Sequence, residues 1–261
     1  METRKSQALF SARFLMRGAC SLLAICWGFL SPSPAFSEST SSTTIEVGDD
    51  CAEVGIDKAS ATLNAAQAWA KGLTTFQAQF TQESSAVALG ASEQSGGEVF
   101  FQNPGRMRWR YEWPNKQDFV IEGDTMRLYQ PDLNQMLIDS AQKILTSDLP
   151  VAFLSGIASV TDKFSLVRGC KADGGIADGK DPRDSRVRLE LKPKQGGAVR
   201  RLDLVVEPVK SRVVAASVID ESENITSFSF ARIVEGRPLA KDQFELTVPA
   251  GTDVQDNRRN K

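Results

Sequence analysis

The 261-residue chain contains no histidine at all. That absence excludes Ser-His-Asp and Cys-His nucleophilic catalysis, together with imidazole metal sites. Walker-type phosphate loops and the GxGxxG, HExxH and CxxC spacings are missing as well. The nearest thing to a carboxylate pair, Glu221 and Glu223, falls in a polar turn and reads as solvent-facing. No catalytic residue, metal or cofactor is therefore assigned, and an enzyme is only the residual class.

Cysteine is scarce, and its placement is informative. Of four cysteines, Cys20 and Cys26 fall in a leader-like segment. Arg4, Lys5, Arg13 and Arg17 precede the 13-residue apolar run Gly18–Leu30, which is short for a membrane span and typical of a secretory core. Ala35 and Ser37 supply the small residues of a cleavage site, so residues 1–37 read as a cleaved signal peptide, with an uncleaved anchor as the alternative. Neither Cys20 nor Cys26 follows the aliphatic-small-small pattern of a lipoprotein signal. The exported chain would keep only Cys51 and Cys170, a pair suited to an oxidising compartment, with free thiols as the alternative.

Cleavage removes four of 31 basic and one of 33 acidic residues, leaving 27 against 32. This net acidity bears on the stretch "NPGRMRWRYEWP" (103–114), whose arginines and aromatics resemble a nucleic-acid patch in isolation. Nucleic-acid binding draws its affinity from a net basic face, and an acidic exported chain lacks one. No nucleic-acid partner is expected.

With 41% hydrophobic and 25% charged residues the chain is globular rather than disordered or fibrous. Residues 38–55, Ser/Thr-rich at first, are expected to be flexible. Ile56, Ala59, Leu63, Ala66, Ala70 and Leu73 have the three-and-four spacing of an amphipathic helix, with Asp57 as its N-cap and Gly72 near its end. Period-two alternation then takes over. Phe76, Ala78 and Phe80 alternate with polar residues, as do Met107, Trp109, Tyr111 and Trp113 with Arg108, Arg110 and Glu112.

Further strands are expected at Gly97–Gln102, Asp118–Glu122, Thr125–Gln130, Gln135–Asp139, Lys163–Arg168, Ser185–Leu191, Val199–Glu207, Val213–Asp220, Asn224–Ile233 and Gln243–Val248. The turns are "NPGR", "EGDT" and "DESEN". A second helix-like segment, "LPVAFLSGIASV", occupies 149–160. The fold class is thus mainly β with helices: a curved antiparallel sheet of about eleven strands with helices over its mouth or one face. Its aromatic face is either an ordinary filled core or the wall of a ligand cavity, and the pattern alone leaves both open.

An ordered series narrows this. Phe76-x-Ala78-x-Phe80-x-Gln82, Gly97-x-x-x-Phe101, Pro104-Gly105-Arg106-Met107-Arg108-Trp109-x-Tyr111-x-x-Pro114, Gly123, Leu128-Tyr129, Gln135, Leu191-x-Pro193, Asp220, Asn224-x-Thr226-x-Phe228 and Pro249-x-Gly251-x-Asp253-Val254 together resemble the periplasmic outer-membrane lipoprotein carriers, the LolA family. The resemblance spans roughly Ile56–Val254. It implies an unclosed β-barrel domain, placed at 56–256, with a helical lid over a hydrophobic cavity.

The implied partners are acylated lipoproteins, an inner-membrane ABC-type release complex and an outer-membrane receptor, served by a periplasmic monomer. A lipid-sensing regulatory module of similar fold is the alternative. Each methylene left in water costs ~0.8 kcal/mol, so one acyl chain of about fifteen costs on the order of 12 kcal/mol. A carrier exists to remove that cost.

Within this framework Phe76, Phe80, Phe101, Met107, Trp109 and Tyr111 are expected in the cavity wall, and Val151, Phe153, Leu154 and Ile157 in the lid. Some relatives carry an arginine immediately before the turn proline, where this chain has Asn103. Arg106 and Arg108 are the neighbouring candidates for a cationic partner rim.

Overall fold

The computed structural model describes residues 51–142, 160–172 and 185–259. One helix, α1 (Ile56–Gly72), precedes β1 (Thr75–Ala86), β2 (Ala91–Gln102), β3 (Arg106–Trp113), β4 (Gln117–Glu122), β5 (Thr125–Gln130) and β6 (Gln135–Ser140). A single-turn helix α2 (Val160–Lys163) then leads into β7 (Phe164–Lys171), β8 (Val187–Pro193), β9 (Val199–Glu207), β10 (Arg212–Asp220), β11 (Ile225–Glu235) and β12 (Asp253–Asp256). These strands form one sheet in the order β12-β6-β5-β4-β3-β2-β1-β11-β10-β9-β8-β7, unclosed because its end strands do not pair with each other. Every pairing is antiparallel except β12 with β6.

The hairpin turns follow the expected chemistry. Gly105 and Gly123 adopt left-handed φ values of 69° and 56°, which a side chain would strain. A hydrogen bond from the Gly123 N–H to the Gly105 carbonyl, 3.0 Å, ties these two turns together. At "DESEN" the Asp220 carboxylate accepts bonds from the Ser222 and Asn224 backbone N–H groups and closes the longer turn.

One face of the sheet, the inner face, carries two adjoining cores. Ala59, Thr62, Leu63 and Ala66 are the buried stripe of α1, and they pack on Val187, Leu189, Leu191, Leu202, Leu204, Val206, Val213 and Ala216 of β8–β10. The approach is close because residue 169 is glycine: a Cβ there would sit 2.6 Å from that of Ala59. Trp69, in the last turn of α1, touches both this core and an aromatic one over β1–β5 and β11.

Residues 51–55 are held to the sheet edge. Cys51 and Cys170 form a disulfide with Cα atoms 5.2 Å apart. Glu53 bridges Cys170, the Val54 N–H donates to the Gly169 carbonyl and the Lys171 N–H to the Ala52 carbonyl. This anchoring accompanies a β7 that runs to Lys171, beyond the expected Arg168.

Several expectations need correction. Asp57 is not the N-cap of α1: Gly55 holds that position without a side-chain cap, and Asp57 lies in the first turn, where it favours the helix dipole instead. Gln243–Val248 is not a strand. Lys241–Phe244 form a 3₁₀ turn, and the carbonyls of Gln243 and Glu245 accept bonds from Arg108 rather than from a ladder. The unexpected twelfth strand, β12, is four largely polar residues with no alternation to reveal it. The leader 1–37, the expected lid residues Val151, Phe153, Leu154 and Ile157, and residues 173–184 between β7 and β8 lie outside the described residues.

Candidate functional site

Register explains how four strands, β1, β2, β3 and β11, place one aromatic surface. Phe76, Ala78 and Phe80 of β1 lie opposite Phe101, Val99 and Gly97 of β2, which lie opposite Met107, Trp109 and Tyr111 of β3. On the other flank Phe80 pairs with Phe230 and Gln82 with Phe228 of β11. Alternation sends all these side chains to the inner face.

They form a continuous cluster there. Phe80 meets Trp109 at 4.6 Å and Tyr111 at 4.9 Å between ring centroids, Trp109 meets Phe228 at 5.4 Å, and Phe76 meets Phe230 at 6.0 Å and Trp69 at 6.3 Å. Most of these contacts are edge-to-face, the favourable arrangement for ring quadrupoles. Met107 accepts the Trp109 indole N–H on its sulfur at 3.1 Å.

Two glycines make the close approach possible. At Gly97 a Cβ would run into the Arg110 carbonyl oxygen, and at Gly96 into the Trp113 ring. A register shift between them skips Glu112 and breaks the alternation. Trp113 therefore lies over Gly96, 42% exposed and outside the aromatic cluster, instead of continuing the Met107-Trp109-Tyr111 face.

The six expected wall residues are thus brought together. Phe76, Phe80, Met107 and Trp109 are buried, with Phe101 and Tyr111 half-buried against the same cluster. Sequence alternation did not single out Trp69, Phe228 or Phe230. The period-two pattern at Thr226, Phe228 and Phe230 was visible, but the pairing of β1 with a strand about 150 residues away was not. Burial raises the Tyr111 hydroxyl well above its ordinary pKa, so it remains a neutral donor, and it bonds Gln82 Oε1 at 2.7 Å.

The outer face is different in kind. Arg106 pairs with Glu122 at 3.2 Å, and Arg110 pairs with Glu98 at 3.3 Å while lying over the Phe100 ring. Arg108, only 8% exposed, donates from Nε to Asp118 at 2.7 Å and from Nη1 to the Gln243 and Glu245 carbonyls. It fastens the segment between β11 and β12, a strap that crosses β3 and β4 and buries Phe244. Asn103 is exposed in the β2–β3 turn, its backbone N–H bonded to the Thr74 carbonyl. A groove of about 350 Å³ between strap and sheet is lined by Glu98, Arg110, Arg237 and Gln243 among others, too polar to shelter hydrocarbon.

Chemically, the inner face presents apolar rings bordered at one end by polar side chains, beginning with the Tyr111 hydroxyl and Gln82. Among the described residues no group of His, Cys, Asp or Glu is arranged to hold a metal ion, and no helix is long and apolar enough to cross a membrane. What such a surface can do is exclude water from an apolar guest.

Comparison with known proteins agrees in region. Residues 71–247 match the family described as "Outer membrane lipoprotein carrier protein LolA". The chain is 26% identical over 193 residues to an outer-membrane lipoprotein carrier protein of Methylobacillus flagellatus, covering 72% of this chain and 85% of that one. It is 30% identical over 192 residues to the protein of the same name from Cupriavidus taiwanensis, covering 72% and 84%. Among solved structures, a LolA superfamily protein from Nitrosomonas europaea aligns with a TM-score of 0.39 at 15% identity, over 72% of this chain and 97% of that one. The family match covers well over half of the sequence and includes all the aromatic strands β1–β5 and β11, and on that ground the chain belongs to the LolA family of outer-membrane lipoprotein carrier proteins.

Proposed function

We propose that this protein, exported and freed of residues 1–37, carries lipoproteins through the periplasm as a monomer, by enclosing their acyl chains against the aromatic inner face. It takes them from an inner-membrane ABC-type release complex and hands them to an outer-membrane receptor. The observation that carries this reading is the single apolar surface built by Phe76, Phe80, Trp109, Phe228 and Phe230, continuous across β1, β3 and β11. Relatives bearing the carrier name support it.

The folded carrier domain is 56–256, anchored at its start by the disulfide, and Val151, Phe153, Leu154 and Ile157 contribute to its lid. Ring-to-ring packing suits a reversible guest. Rotating edge-to-face contacts opens space at modest cost, whereas a fully complementary slot would hold the chains too tightly for release. Among the rim candidates, Asn103 and the part-exposed Arg106 remain available to partners, while the guanidinium of Arg108 is committed to the strap.

Spheroplasts incubated with the purified mature protein provide the test. Newly made lipoproteins are expected to appear in the soluble fraction bound to it. If they stay in the membrane while the protein forms a stable complex with a membrane-bound signalling partner, the carrier reading fails and the sensing module replaces it.

A further inference from the structure

The inner face changes character along the strands, and the change has a direction. From Phe76 to Phe80 on β1 every inward residue is apolar; beyond Phe80 the inward positions are Gln82 and Ser84, opposite Ser95 of β2 on one side and Thr226 of β11 on the other. All four are half-buried. At the boundary Tyr111 donates its hydroxyl to Gln82 Oε1 at 2.7 Å, and Gln82 Nε2 donates to Ser84 Oγ at 3.1 Å. Polar side chains therefore gather at one end of an otherwise apolar floor, and three of them, Tyr111, Gln82 and Ser84, are already oriented by mutual hydrogen bonds.

We infer that this cluster, Tyr111, Gln82, Ser84, Ser95 and Thr226, receives the ester and amide carbonyls of the lipid anchor, so that the acyl chains run from it toward Phe76 and Trp69. The inference rests on the carrier reading above and adds orientation to it. Its chemistry is complementary. An acylated, glyceryl-modified cysteine presents several carbonyl acceptors and few donors, and the cluster offers donors in return. Gln82 has a second amide hydrogen beyond the one given to Ser84, and the Ser84, Ser95 and Thr226 hydroxyls each carry a hydrogen of their own. Carbonyls left unpaired among the rings would lose their hydration without replacement, so the reverse orientation is disfavoured.

The competing anchor point is the Trp69 indole N–H, buried at the Phe76 end without a hydrogen-bond partner. It is one donor facing several acceptors, and it stands among the residues best suited to hydrocarbon. Orientation decides what meets the receptor first. With the carbonyls at the Gln82 end, the protein part of the cargo leaves beside the β1–β2 hairpin, whose 3₁₀ tip Val87–Leu89 projects exposed valine and leucine side chains.

The test uses the unaltered mature protein and two synthetic triacylated cysteinyl peptides, one with a diazirine next to the ester carbonyls and one with it at the chain terminus. After photolysis and peptide mapping, the ester-proximal probe is expected to label residues 82–97 and the terminal probe residues 69–78. Reversed labelling, head-proximal label at Trp69, or identical patterns would overturn the orientation. If neither probe labels the inner face, acyl binding there is wrong and the carrier reading falls with the inference.

A second measurement removes the reliance on labelling chemistry. The wild type is expected to bind the diester peptide roughly tenfold tighter than its diether analogue, and Gln82→Leu combined with Ser84→Ala should reduce that ratio to about twofold or less. An unchanged ratio in the variant, or no discrimination in the wild type, counts against the cluster.

Discussion

Replacing Arg108 with methionine removes a buried cation that holds two parts of the protein together. The side chain is 8% exposed and makes one charge-assisted bond to Asp118 at 2.7 Å, plus bonds of 3.1 and 3.4 Å to the Gln243 and Glu245 carbonyls. The carboxylate bond is worth roughly 1.5–3 kcal/mol, and the carbonyls add about 1 kcal/mol between them, since the second is long. Asp118 is 21% exposed in its side chain and has Arg110 Nε at 4.0 Å, so partial rehydration and a second cation soften the loss. The expected cost is about 3 kcal/mol, or a fall in Tm of about 6–12 °C for a domain of this size.

Arg106→Met is the control. Its pair with Glu122 is 34% and 45% exposed, and the loss should stay below about 0.5 kcal/mol. Urea and thermal unfolding of both variants measure the difference, and hydrogen exchange at Gln243–Glu245 reports the strap directly. Equal stability losses in the two variants, or unchanged exchange in Arg108→Met, would refute the assignment of Arg108 to the strap.

Breaking the disulfide with Cys51→Ser should destabilise by roughly 4–5 kcal/mol in the chain-entropy view, given a sequence separation of 119, and reductant should reproduce the effect in the wild type but not in the variant. Gly97→Ala forces a methyl group against the Arg110 carbonyl, and a loss of about 2–3 kcal/mol in urea unfolding is expected. Asp203, 4% exposed, has its pKa pushed up to about 6 by burial, which outweighs the attraction of Arg201, Arg188 and Arg168. A carboxyl whose folded pKa lies above its unfolded one destabilises the protein above pH 6, and the penalty fades as pH falls from about 6 to 4. Asp203→Asn should therefore exceed the wild type in stability by on the order of 2–3 kcal/mol at pH 7, with the gap closing toward pH 4 in parallel denaturation curves.

Alternation was enough to place Phe76, Phe80, Met107, Trp109 and Tyr111 on one face, because a period of two leaves a strand no other choice. It failed at Trp113, where a bulge adds one residue without any change in the apolar pattern. Strand ends at Ala86 and Ala91 were hidden for a related reason: the inward positions there are Gln, Ser and Glu, so nothing alternates even though the ladder continues. Gln243–Val248 has the alternation of a strand, yet a distant guanidinium claims its carbonyls, a competition that only the folded chain displays. Phe228 and Phe230 entered the site through non-local pairing, which periodicity within one segment does not encode.

An unclosed sheet normally invites a second copy to extend it, since each free edge offers a row of unpaired backbone groups. Here the two ends of the folded chain occupy those rows. Residues 52–54 pair with Gly169–Lys171 of β7, and β12, only four residues long and with Asp253 and Asp256 at its ends, lies along β6. Protection against edge-to-edge polymerisation is thus assigned to the segment just before the domain and to its last strand, away from the aromatic cluster. Trimming either end would leave the guest-binding face intact in sequence while exposing a template for fibre growth, so solubility and cargo binding are separable properties in this fold.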